Sequence, residues 1–300
     1  MSLSILTNVS AIDTNRNLQN SSNAVAKAMQ DLSSGLRINT AADDASGYVV
    51  SQGLTQQVNG YNQASLNIGD AINMVQTTET SLNSIQDMLQ RIYELGVQYS
   101  TGSLTGTDRT AIQSEVNQLT AEIDRQTNST QFNNVDLLDG TAGGTGIITF
   151  QVGANDGNVL AATFSGIENN VADTGVGSVA TSTTVLGSVG FTWTAAASGA
   201  AGEVIDLSQA NILTSITNAI SLVATYAAGL GAVQNRLQYA ASQAATLSEN
   251  MASANSTIKD VDMASEMTAM TQQQVLQQAG TAMLAQANSE PQLVLKLLQG

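Results

Sequence analysis

The sequence predicts a mainly α fold: a long antiparallel, coiled-coil-like helical rod formed by the N- and C-terminal halves, with a small β-hairpin region at the far end. Three observations carry this. Two stretches far apart in the chain repeat apolar residues every seven positions. The segment between them switches to β-branched residues around an Asp-Gly turn. Aromatic residues make up only 4% of a chain that is 42% hydrophobic, so the apolar content is mostly Ala, Val, Leu and Ile. Such residues suit thin helical seams better than a thick globular core.

From Thr7 to about Gly35 a sparse stripe of Leu18, Val25, Met29, Leu32 and Leu36 steps by seven, four, three and four, marking one helix face. From about Gly47 to about Ser100 the pattern strengthens. Leu54, Tyr61, Ile68, Val75, Leu82 and Leu89 recur every seven residues, with Val58, Ile72, Ile85 and Ile92 beside them. A repeat held that long keeps one narrow seam facing a partner helix. At about 1.5 Å per residue the run spans roughly 75 Å. Gly102 and Gly106 break it, and Thr107 or Asp108 is expected to cap the next helix. Ile112, Val116, Leu119 and Ile123 then predict a helix that folds back antiparallel on its predecessor.

The signal changes from about Phe132. Ile147, Ile148, Phe150 and Val152 lead into Gly153-Ala154-Asn155-Asp156-Gly157-Asn158, and the apolar run 159–164 follows, which predicts a β-hairpin over about 147–164. Residues 166–204 are mostly Gly, Ala, Ser, Thr and Val and read as a short variable surface insertion without a large outer domain. Helical patterning returns near Leu207, where Ile216, Val223, Leu230, Leu237, Ala244 and Met251 repeat every seven residues. This second seam is the natural partner of the first. Beyond Ser256 the chain is Gln- and Met-rich, with Met263, Met267 and Met270 stepping by four and three. It ends, after the single Pro291, in an apolar tip with Leu293, Leu295 and Leu298. The terminal stripes are too thin to be stable alone, because short amphipathic helices are marginal in water and Gln/Ser/Asn-rich segments bury little. Self-assembly is the economical way to order them.

The charge balance, 9 basic to 24 acidic residues for a net −15, argues against nucleic acid and anionic membrane as partners, since both need clustered Lys and Arg. No basic residue lies between Arg125 and Arg236. The absence of Cys and His removes disulfides, thiolate chemistry and the common zinc ligands together, so no catalytic, cofactor or metal site is expected. No uninterrupted run of about 18 apolar residues suggests a membrane span. The N-terminal Met1-Ser2-Leu3-Ser4-Ile5-Leu6 lacks the basic-then-apolar pattern of a cleaved secretory signal. Export, if it occurs, is expected to use a dedicated machine.

Several motifs then converge. Leu32-Ser33-Ser34-Gly35-Leu36-Arg37-Ile38-Asn39, followed by Ala41-Ala42-Asp43-Asp44-Ala45, resembles the N-terminal signature of bacterial flagellins. Gly231-Ala232-Val233-Gln234-Asn235-Arg236-Leu237 resembles the signature on their returning helix. Asp260-Val261-Asp262-Met263-Ala264 and Met283-Leu284-Ala285-Gln286-Ala287-Asn288 resemble their C-terminal segment, and Phe150-Gln151-Val152-Gly153-Ala154-Asn155 their β-hairpin. The resemblance covers roughly 1–165 and 205–300. It implies a filament subunit whose segments 1–45 and 256–300 form the inner filament core. Residues 46–165 with 205–255 would form the helical rod domain around it. On this reading Leu32, Leu36, Arg37, Asp43, Asp44, Arg236, Asp260, Met263, Met283, Leu284, Leu295 and Leu298 are filament-interface residues. The implied partners are further copies of the chain, an export chaperone at the C-terminal segment, and the filament cap and hook-junction proteins. The implied route is type III export to an extracellular flagellum. The stretch from Leu89 to Gln98 resembles the docking segment for a Toll-like innate receptor, with Gln90, Arg91, Leu95 and Gln98 as contacts and Glu115 on the neighbouring helix.

Each motif has a plainer reading. Asp43 and Asp44 are a potential cation or acid–base pair, but an N-terminal charge pair for the following helix suffices, with Arg37 as the expected partner within or between subunits. Gly229-Leu230-Gly231 lies inside a heptad seam without the strand or spacing of a phosphate loop. Asn155-Asp156-Gly157 lacks calcium-ligand spacing and reads as a turn. The Met stripe is either core or a chaperone-binding face. The Ser/Thr-rich stretch 178–198 is either an O-glycan carrier or an undecorated loop. Two alternatives to the filament subunit remain, the hook–filament junction protein of the same architecture and a secreted adhesin or receptor ligand, while the absence of His excludes a variable-region zinc peptidase.

Overall fold

A computed structural model describes residues 8–164, 194–195, 203–205, 207–208 and 211–299. The side chains of 194–195, 203–204 and 290–299 are outside the description, as are most of the insertion 166–204 and the 178–198 stretch. Five helices dominate: α1 (Val9–Ser34), α2 (Ala45–Tyr99), α3 (Gly106–Ser129), α4 (Ile212–Lys259) and α5 (Met263–Gln299). Among the described residues six short strands form three antiparallel pairs: β1 (Gln131–Phe132) with β2 (Val135–Asp136), β3 (Ile147–Gln151) with β4 (Val159–Thr163), and β5 (Thr194–Ala195) with β6 (Glu203–Val204). The predominantly helical fold with the β3–β4 hairpin is the one expected.

The chain divides into two compact units. One comprises Met1–Val58 with Glu249–Gly300, the other Asn59–Ser248. In the second, the two predicted seams share one core. Ile68, Val75, Leu82 and Leu89 of α2 are buried, with Ile85 and Ile92 beside them, and Ile216, Val223, Leu230, Leu237 and Ala244 of α4 complete it. Ile112, Val116 and Ile123 bring α3 onto the same core. Burying each such Leu, Ile or Val removes about 1.5–3 kcal/mol of apolar hydration cost. Thr78, Thr120 and Thr127 are buried too, and each returns its hydroxyl to the carbonyl four residues back, so none is left unpaired.

The cap of α3 differs from expectation. Thr105 starts the helix, not Thr107. Its hydroxyl accepts from the Asp108 N–H while the Asp108 carboxylate takes the Thr105 N–H at 3.0 Å, a reciprocal capping box. The return is also later than Leu207, since α4 begins at Ile212. Leu207 plugs the core instead, and Gln113 clamps its neighbourhood, donating to the Ile205 carbonyl and accepting from the Leu207 N–H at 3.1 Å.

β3 and β4 form the predicted hairpin, Ile147 opposite Thr163 and Gln151 opposite Val159. Gly157 sits at φ +84° in its turn, as an Asp-Gly turn requires. Leu160, Ala162 and Phe164 face the core. The turn rests on α2: a Cβ on Gly60 would lie 2.7 Å from the Ala154 Cβ, and Asn67 donates to the Gln151 carbonyl at 3.3 Å. The β1–β2 hairpin was not expected. Its turn is Asn133-Asn134, both with positive φ, which asparagine tolerates better than other residues with a side chain.

By mean hydropathy one described helix stands apart. Helix α4 contains an 18-residue window with mean hydropathy 1.5, long and apolar enough to cross a membrane by length and composition alone. Ala, Val and Leu raise the mean although Thr, Ser and Asn interrupt every apolar run. The seam of that helix is occupied by the core just described.

Candidate functional site

The first unit gathers the signature residues at an elbow where two linkers meet. Helix α1 ends at Gly35, whose left-handed φ of +72° lets its N–H close on the Asp31 carbonyl at 2.9 Å. The chain then runs antiparallel to the α4–α5 linker. Leu36 bridges Asp260, the Arg37 N–H reaches the Lys259 carbonyl at 2.7 Å, and the Val261 N–H reaches the Gly35 carbonyl at 3.1 Å. The Arg37 guanidinium crosses to the Ile258 carbonyl at 2.5 Å. Ile38, which belongs to no apolar stripe in the sequence, is the buried plug of the elbow.

The carboxylates of this linker are fully engaged. Asp43 accepts from the Asn39 and Thr40 N–H groups at 3.1 and 2.9 Å and pairs with Lys27 at 2.6 Å. Lys27 also pairs with Asp31, at 3.0 Å, and Asn39 donates to Asp31 at 2.8 Å. The Lys27 contact, reinforced by the two backbone N–H groups, holds the Asp43 carboxyl far below the usual carboxylate range. The same Asp43 bond raises Lys27 above the ordinary lysine value. Asp44 takes the Gly47 N–H at 2.9 Å at the start of α2. The acidic pair therefore closes a turn and caps a helix, and within the chain Lys27, not Arg37, is the partner of Asp43. The reason is reach: Lys27, one turn before Asp31 on α1, faces the linker, while Arg37 faces the opposite strand-like linker. No group of three or more Asp or Glu side chains able to hold a metal occurs among the described residues.

Beyond the elbow, α1 packs on α5. Asn8 caps α1 by accepting from the Ala11 N–H, and its amide donates to the Ala287 carbonyl at 2.8 Å, tying the start of α1 to α5. Val25 and Ala28 are buried between the helices, and Gly280 brings α5 within van der Waals contact of Leu18. Asp262 caps α5 through the Ala264 N–H at 3.0 Å. Leu32, Leu36 and Leu284 are half-buried in this packing. Met263 and Met283 point outward, 49% and 60% exposed, joined by Val9, Ile12 and Met29 on α1 and Met267, Val275 and Leu276 on α5. Exposed apolar side chains thus remain on both terminal helices beside the packed seam. Leu295 and Leu298 lie in α5, but their side chains are outside the description. Arg236 is exposed on α4, in the other unit.

Of the receptor-type residues, Gln90, Arg91, Gln98 and Glu115 are exposed. Arg91 bonds Glu115 at 2.8 Å and Glu94 at 3.1 Å, and these carboxylates, Glu115 first, raise its pKa. Leu95 is corrected: at 2% exposure it belongs to the core of its unit, because it continues the seam from Leu89 and Ile92.

Known proteins match the chain at both of its ends. Residues 5–143 match the bacterial flagellin N-terminal helical region, and residues 213–298 the bacterial flagellin C-terminal helical region. A flagellin of Halalkalibacterium halodurans is 37% identical over 293 residues, covering 97% of this chain and 98% of its own. The flagellar filament 33 kDa core protein of Treponema phagedenis is 40% identical over 303 residues, with 97% and 98% covered. The flagellin of Bacillus subtilis is 39% identical over 302 residues, again with 97% and 98% covered. Paired terminal helices held by two bonded linkers, matched at both ends by the flagellin helical regions, define a flagellar structural protein. It belongs to the bacterial flagellin family, and its function is that of a structural subunit of the flagellar filament.

Proposed function

We propose that the open apolar faces of α1 and α5 are the surfaces through which copies of this chain polymerise. On this reading segments 1–45 and 256–300 form the innermost filament layer, and residues 46–165 with 205–255 the layer around it. The observation that supports it is the outward set of Val9, Ile12, Met29, Met263, Met267 and Met283 on helices that already bury another face against each other. Exposed apolar side chains on helices already paired along another side are suited to contact with a further copy. Heterologous contacts that do not close generate an open helical polymer. Leu32, Leu36, Arg37, Asp43, Asp44 and Asp260 act by fixing the elbow from which the terminal helices extend. Arg236, Met263, Met283, Leu284, Leu295 and Leu298 contact neighbouring copies.

The finer partners follow the family resemblance. An export chaperone covers the Met-rich C-terminal segment before assembly, and cap and hook-junction proteins bound the filament. Export runs through the type III apparatus to an extracellular filament, and the chain has no enzymatic role. The Arg91–Glu115 surface with Gln90 and Gln98 is the site for a Toll-like innate receptor, without Leu95. Deletion of residues 1–30 or 270–300 tests the central point. The truncated proteins are expected to remain soluble and helical but to form no filaments under electron microscopy, whereas the full chain does. Filaments from either truncation would overturn the assignment.

A further inference from the structure

The open faces of the terminal helices carry an unusual concentration of one oxidisable residue. Among the methionines, Met29, Met263, Met267 and Met283 are 49–60% exposed, and all four lie on α1 or α5. Met74, in the other unit, is 8% exposed and packed in the core. Met283 lines a groove of about 670 Å³ between α1 and α5 together with Leu18 and Leu276, and Met263 and Met267 stand one turn apart on α5. The chain has no Cys, so a two-electron oxidant in solution meets these thioethers with no faster thiol to intercept it.

We infer that these four methionines are a modification site through which peroxide controls assembly of the subunit. The inference rests on the assembly reading above. The thioether sulfur attacks one peroxide oxygen and the O–O bond breaks. One oxygen remains on sulfur as the sulfoxide, and the other leaves as water after proton transfer. The sulfur loses two electrons and the peroxide gains them. The product is a polar side chain where an apolar one was to be buried against a neighbouring copy, so the oxidised monomer is excluded from polymerisation. Once buried in the polymer the same sulfurs are shielded, so the control acts before assembly. Reduction by a methionine sulfoxide reductase restores the thioether and reverses it: thiols of the reductase and its dithiol donor supply two electrons and two protons and become a disulfide, and the sulfoxide oxygen leaves as water.

The test treats the full-length monomer with hydrogen peroxide, maps added oxygen by peptide mass spectrometry and measures the critical concentration for polymerisation. Met29, Met263, Met267 and Met283 are expected to oxidise before Met74, and the critical concentration to rise on the order of tenfold. Reductase treatment is expected to restore it. A variant carrying M29L, M263L, M267L and M283L, which keeps volume and helix propensity, is expected to polymerise equally with and without peroxide. Should that variant fail to fold, the reductase reversal on the native chain still decides. Unchanged polymerisation of the oxidised native chain, or a loss that reductase does not reverse, overturns the inference while leaving the assembly reading intact. Failure of the untreated chain to polymerise overturns both.

Discussion

At the residue scale, Asp43 shows how a few atoms set the geometry of the terminal helices. Its carboxylate gathers Lys27 and two backbone N–H groups, which only the ionised form accepts well. A depressed folded-state pKa contributes stability above the unfolded value of about 3.9 that is lost as pH falls below it. Lys27 works in the opposite sense, and its raised pKa contributes below about 10.4 and fades only at higher pH. Across the neutral range both contributions are present. Acidification below about pH 4 is therefore expected to loosen the elbow, with faster amide exchange at Asn39 and Thr40, and Asp43→Asn should show that exchange already at neutral pH. Equal exchange in the native chain and the variant would remove Asp43 from this role. In the other unit, Leu82→Ala is expected to cost about 2–5 kcal/mol in chemical denaturation, while Leu66→Ala at an exposed site of the same helix stays within about 0.5 kcal/mol. Leu82 could be read from its place in the seven-residue repeat. The pairing of Asp43 could not, because Lys27 lies well back along α1 and only the closed linker brings the two together. Leu95 failed for the converse reason: a motif gave it a surface role, while its step from Ile92 already placed it on the buried face.

At the element scale, glycine decides how the β3–β4 hairpin sits. A mid-helix glycine costs about 1 kcal/mol relative to alanine, so Gly60 in α2 needs a reason, and the approach of Ala154 provides one. At Gly69, in the same helix, a Cβ would meet nothing within 4 Å. Gly60→Ala is expected to destabilise its unit by about 1–3 kcal/mol and to speed proteolysis at the hairpin turn. Gly69→Ala should instead stabilise by up to about 1 kcal/mol. A stabilising Gly60→Ala would show that the hairpin does not rest on α2 there. The helices were legible because their seven-residue period extends over many residues, and this hairpin because β-rich runs flank an Asp-Gly turn. The β1–β2 hairpin was not, since two-residue strands have no period and only Asn133-Asn134 marks the turn. The α3 cap shifted by two residues because Thr105 and Thr107 are chemically alike and only the reach of Asp108 separates them.

At the scale of the whole molecule, composition and assembly are linked. Subunits carrying −15 each repel when packed, so raising ionic strength is expected to lower the critical concentration for polymerisation as the Debye length falls from about 30 Å at 0.01 M to about 10 Å at 0.1 M. A critical concentration independent of salt would refute this electrostatic part alone. The seams of α2 and α4 were legible as partners because each supplies what the other lacks. The residue-level interface between copies is not written in one chain's periodicity, since it depends on how faces of separate molecules meet. Polymerisation, on the reading proposed above, buries the outward apolar faces of α1 and α5 between copies. Amide hydrogen exchange on the full-length chain, as monomer and as polymer, tests this most directly. Exchange in α1 and α5 is predicted to slow by on the order of tenfold or more in the polymer, while the buried seam of α2 and α4 is already protected in the monomer. Terminal helices that exchange equally fast in both states would contradict it.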